Sequence, residues 1–129
     1  MPRRQPLPAA VARLFGTLPP DTALLAERAR ALLVRALPKA IETVDTKGRL
    51  LGYSYGPGYK GVVATLLLSK QGAKIGLAHA AGLPDPENLL AGAGRVHRHI
   101  AFARPDDFQR PGIKRLIAAT LAAWKSRSA

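Results

Sequence analysis

The chain has 129 residues, of which 47% are hydrophobic, and a formal net charge of +12, so it fits one domain with one core. Cysteine is absent, which excludes disulfides, thiolate nucleophiles and cysteine-ligated zinc or iron–sulfur sites, and fits a reducing cytoplasm. The longest apolar run, 62–68 with Thr65 inside it, is far shorter than the roughly 20 residues of a membrane span, so no membrane crossing is expected.

Each half of the chain, 1–64 and 65–129, carries ten Lys/Arg and four Asp/Glu, so the charge belongs to the body and not to a tail. A folded body this basic attracts polyanions such as nucleic acid, phosphorylated ligands or acidic lipid surfaces. The alternative is a solvated surface from high arginine usage. No run of basic residues alternates with aromatics, as a stacking groove would require.

In chain order, residues 1–19 read as a Pro/Arg-rich arm with a short helix. Five prolines in its first twenty residues argue against a signal peptide or a long amphipathic helix. A single domain over 20–126 follows. Its first long helix starts where Asp21 or Thr22 can cap it and stops at Pro38. Leu24, Leu25, Ala29, Leu32, Leu33 and Leu37 form its apolar stripe.

The period then changes. "AIETVDT", "GRLLGYSYG", "GVVATLLLS", "AKIGLAHA" and "RVHRHIAFA" are short, rich in strand formers and bounded by Gly or Pro. Lys47-Gly48 and Gln71-Gly72 are hairpin-like, so consecutive strands should pair antiparallel. Asp85, Pro86 and Gly92 predict a short helix before the fifth strand. At the C-terminus, Ile113, Leu116, Ile117, Leu121 and Trp124 share one helical face. The pattern predicts an α+β fold: an antiparallel sheet of about five strands, with the N- and C-terminal helices on one face. The other sheet face is the natural place for a site.

Gly52-Tyr53-Ser54-Tyr55-Gly56 matches G-x-S-x-G, but a nucleophile elbow needs a helix after the turn, and a strand follows here. "AGAGR" at 91–95 lacks both the third glycine of a dinucleotide fingerprint and the Gly-Lys-Ser/Thr of a P-loop. The acidic pairs Asp85/Glu87 and Asp106/Asp107 sit at helix-start positions where capping explains them. The chain therefore reads as a non-enzymatic binding module.

In "RVHRHIAF", alternation puts Val96, Arg98, Ile100 and Phe102 on one face and His97, His99 and Ala101 on the other. His97 and His99, at i and i+2, are the candidate metal ligands, and His79 by alternation points toward the core. Arg98, between apolar residues, needs a carboxylate, a carbonyl or a ligand, with Glu42, Asp85 and Glu87 as internal partners. With Arg95 and Lys60 it forms the candidate anion set.

Leu83 to Pro86, Leu89-Leu90, Gly92-Ala93-Gly94-Arg95 and Arg98-His99-Ile100 together resemble the central motif of the YdhG-like domain family, whose members are mostly of unknown function. The resemblance spans roughly residues 24 to 124. It implies a fold similar in outline to frataxin, and, from some relatives, intracellular iron handling with a protein recipient. Frataxin-like iron binding uses clustered carboxylates. The first long helix here offers only Asp21 and Glu27 among Arg28, Arg30 and Arg35, which leaves iron to His97 and His99. Two roles follow, a metal-handling module and a basic polyanion or nucleic-acid binder, with oligomeric state open.

Overall fold

The computed structural model describes residues 7–128; the first six residues of the arm lie outside that range. Helices α1 (Ala9–Gly16) and α2 (Pro20–Ala36) are followed by strands β1 (Ile41–Asp45), β2 (Leu50–Ser54), β3 (Val62–Ser69), β4 (Gly72–Leu77) and β5 (Arg98–Phe102). Helix α3 (Gly112–Ser128) closes the described chain. The five strands form one antiparallel sheet in sequence order, as the short connections dictate. The α+β class, the five-strand meander and the helical N- and C-terminal regions agree with the sequence expectation.

Register explains which face is buried. Glu42 lies opposite Tyr53, Val44 opposite Leu51, Leu51 opposite Leu66, Leu66 opposite Ile75, and Ile75 opposite Ile100. These residues, with Leu77 and Phe102, make one face, and all but the edge pair Glu42 and Val44 are fully buried. Leu25, Ala29 and Leu33 of α2 and Ile113, Leu116 and Ile117 of α3 pack with them in one core. Val11, Leu14 and Phe15 join that core, so α1 is part of the packed body and not a peripheral arm. Among the described residues, no helix packs on the opposite face. Across its middle runs Thr43, Gly52, Thr65, Gly76 and His99, a row of small residues ending in one imidazole.

Four local expectations need correction. Helix α2 has no side-chain cap: it starts with Pro20 at its first position, and Thr22 is buried. Leu24 is 41% exposed, because the buried stripe at positions 22, 25, 26, 29 and 33 turns it to the side. No helix forms after Asp85. Instead its carboxylate accepts the amides of Leu89 and Leu90 at 2.8 Å each, holding an irregular loop. The fifth strand starts only at Arg98, and β4 ends at Leu77, where His79 turns out of line with φ of 56°.

Helix and edge strand meet at one carboxylate. Glu42 accepts from Arg30 Nε at 2.8 Å, from Arg30 Nη2 at 2.9 Å and from the Tyr53 hydroxyl at 2.6 Å. The Arg30 and Glu42 side chains are 18% and 17% exposed, and Tyr53 is 1% exposed. Burial, then the bond to Glu42, pushes the Tyr53 hydroxyl far above the ordinary tyrosine range, so it stays a donor. The bond to Glu42 likewise raises the Arg30 guanidinium. Replacing Glu42 with alanine should strand Arg30 and Tyr53 and lower unfolding free energy in urea by about 2–4 kcal/mol. A loss under about 0.5 kcal/mol would mean that the pair contributes no more than a surface ion pair.

Candidate functional site

Because β2 and β4 run opposite to β1, β3 and β5, one end of the sheet collects a specific set of segments. These are the 37–40 link, the 55–61 loop and the 78–97 loop. The last turn of α3 reaches the same end, since Trp124 Nε1 donates to the carbonyl of Lys60 at 2.7 Å. Lys39, Lys60, Arg95, Lys125 and Arg127 are therefore gathered there, all exposed. His79, His97 and Arg98 lie at the same end, at the close of β4 and the opening of β5.

The 55–61 loop is held by backbone contacts. Tyr55 N donates to Gly61 O at 3.0 Å and Gly61 N to Gly58 O at 3.2 Å. A Cβ on Gly61 would land on the backbone carbonyl of Gly56, so only glycine lets the two strands of the loop approach this closely. Tyr55 extends this anchor: its hydroxyl donates to Pro38 O at 2.8 Å, and its ring lies 5.4 Å from that of Trp124, tilted by 35°. Lys60 thus rides on a fixed loop.

The histidines separate into two settings. His97 Nδ1 accepts the backbone amide of His79 at 3.1 Å, and the two rings meet edge to face at 5.2 Å. Burial, the nearby Arg127 and then His97 lower the His79 imidazole below its ordinary range. His99 sits on the open face, its ring against Gly92, and is lowered by burial and then by Lys74. His97 is thus engaged with His79 and not with His99, and His79 is exposed, correcting its expected inward aim. Among the described residues, no group of three or more His, Asp or Glu is placed to hold one metal ion.

Arg98 does turn inward with Ile100 and Phe102, as alternation predicts, and lies opposite Leu77. It reaches none of Glu42, Asp85 or Glu87. Its Nη1 donates to the Gly92 carbonyl, while its buried Nε has no partner. Ala91 and His99 exchange both backbone bonds, at 2.7 and 3.1 Å, so the "AGAGR" segment extends the sheet edge by one bridge. Ser54 is half-buried at the end of β2, with a 3₁₀ turn and β3 after it and no helix to form an oxyanion site.

The carboxylates are elsewhere. Asp21, Asp45, Asp106 and Asp107 lie at the opposite end, and Glu27 is midway along α2. Asp85 and Glu87 line a groove of about 220 Å³ against Gly112, Arg115 and Ala119 in the first half of α3. Glu42, the acid nearest the basic end, is already neutralised by Arg30. The sequence identified Lys60, Arg95 and Arg98. It missed Lys39, Lys125, Arg127, Tyr55 and Trp124, which reach the same end from segments far apart in the chain, as the bond from Trp124 to Lys60 across 64 positions shows.

Two outcomes check this geometry. The folded-state values of His79 and His99 lie below the unfolded value of about 6.5, so their contribution to stability is present above it. It is lost as pH falls through the folded values. Melting temperature should therefore drop between about pH 7 and pH 5, less steeply in His79→Asn, which tolerates the left-handed backbone. Ring-proton NMR titrations of both imidazoles at or above their ordinary range would contradict it. Separately, Gly61→Ala should cost about 2 kcal/mol or more, because backbone atoms would have to move; an unchanged urea midpoint would show that the loop can yield.

No protein-family model matches the chain, and no curated protein or solved structure is detectably similar to it.

Proposed function

We propose that this chain is a non-enzymatic binding module for polyanions, with the basic end of the sheet as its contact surface. The observation that carries the reading is the segregation of charge. Lys39, Lys60, Arg95, Lys125 and Arg127 are exposed at one end, where the nearest acidic side chain among the described residues, Glu42, is paired with Arg30. Lys125 and Arg127 stand in the last turn of a helix, where the macrodipole favours cations on structural grounds alone. Lys39 and Arg95 stand outside any helix, and Lys60 in a single 3₁₀ turn too short to carry an appreciable dipole. Clustered like charges repel one another, and a bound polyanion relieves that repulsion while releasing its own counterions.

The iron-handling role implied by the YdhG-like resemblance is the less supported reading, since His97 is engaged with His79 and a third ligand is not at hand among the described residues. A cation would also have to approach a strongly positive molecule.

Affinity for inorganic polyphosphate, measured by calorimetry over a salt series, should fall with a log–log slope of about −3.5, as five contacts at about 0.7 each on a flexible single-stranded polyanion require. Lys60→Glu/Arg95→Glu should weaken binding by more than about tenfold and flatten the slope, whereas Lys47→Glu/Lys70→Glu at the opposite end should weaken it far less. Equal losses from the two pairs would mean diffuse attraction to net charge and would remove the proposed surface.

A further inference from the structure

The only tryptophan of the chain lies inside this basic end, beside Tyr55. We infer that the polyanion is a single-stranded nucleic acid, whose bases stack on the Tyr55–Trp124 pair while its phosphates cross Lys60, Lys125 and Arg127; this rests on the polyanion reading above. Both rings are only partly buried, although each packs against the core below it. Their polar atoms are already committed, the tyrosine hydroxyl to Pro38 O and the indole N–H to Lys60 O. The surface they leave open is aromatic carbon, which has little to offer a hydrogen-bonding ligand and much to offer the face of a base.

The two anchors matter as much as the rings. Each joins a ring to the backbone of a different segment, so the pair is ordered before any ligand arrives and little side-chain entropy remains to be lost on binding. The anchor carbonyl of the tryptophan belongs to Lys60 itself, which puts an ammonium-bearing residue at the rim of the indole. Arg127 lies one helical turn beyond Trp124 and close enough to His79 to depress it. Aromatic surface and cations at this spacing match a strand that alternates bases with phosphates. A duplex keeps its base faces inside the stack and cannot use the rings.

A single tryptophan also supplies the test, because its emission reports this place alone. The intact protein would be titrated with an oligothymidylate of about twelve nucleotides, with the same oligomer annealed to its complement, and with inorganic polyphosphate of matched charge. The expected result is quenched emission with the single strand only, and single-strand affinity about tenfold above that for polyphosphate. Tyr55→Leu should bring the two affinities together, and far-UV circular dichroism would confirm that the variant is folded. Equal affinities without quenching, or tighter binding of the duplex, would overturn stacking while leaving the polyanion reading intact. Failure of all three ligands to bind would remove both.

Discussion

The Glu42 carboxylate is the point on which the rest of the structure depends. Strand β1 is the open edge of the sheet, paired on one side only, and Ile41 at its start is largely exposed. Hydrophobic burial alone would hold it weakly. The bidentate contact from Arg30 and the bond from Tyr53 join α2, β1 and β2 through two oxygens. Such a half-buried pair is retained more for the arrangement it specifies than for net stabilisation, because desolvation of both ions offsets much of their attraction. What it specifies is where α2 ends relative to β1, and hence where the Pro38–Ala40 link can receive Tyr55.

The same contact shapes the electrostatics. Glu42 is the carboxylate nearest the end of the sheet where the 37–40 link and the 55–61 and 78–97 loops gather, and its charge is spent on Arg30. Among the described residues, no carboxylate forms an ion pair with the cations of those loops or of the α3 terminus. Fold and charge separation therefore share one cause: the residue that fastens the edge strand also leaves the neighbouring surface basic. The aromatic anchors extend the arrangement by tying α3 to a glycine-dependent loop, so that Lys60, Tyr55 and Trp124 are placed by backbone carbonyls.

Most of the fold was legible in the residues. Short runs of strand formers bounded by Gly or Pro, with hairpin-like connections at Lys47-Gly48 and Gln71-Gly72, left the antiparallel meander as the natural solution, and the inward turn of Arg98 followed from the period of two in the last strand. The failures were local and have physical reasons. Asp85 looked like a helix cap, because an aspartate that takes up amides four and five residues on in a loop reads the same in sequence as one at a helix start. His79 was assigned by alternation, which stops applying once the strand ends at Leu77 and the backbone turns left-handed. The pairing of His97 with His99 rested on the same period, extended beyond the strand.

What the sequence by itself determined was the class of fold, the faces of its strands and helices, the absence of cysteine chemistry and the excess of positive charge. Those properties depend on composition and on periods of two and 3.6 residues, which are local. Only the tertiary structure decided where the charge collects and which aromatics stand among it. Tyr55 and Lys60 share one loop, Arg95 lies on another and Trp124 in the C-terminal helix, and no run of the chain joins the three segments. They meet because an antiparallel sheet in sequential order returns alternate strand ends to the same edge, and because α3 runs back toward that edge to seat Trp124 on the carbonyl of Lys60.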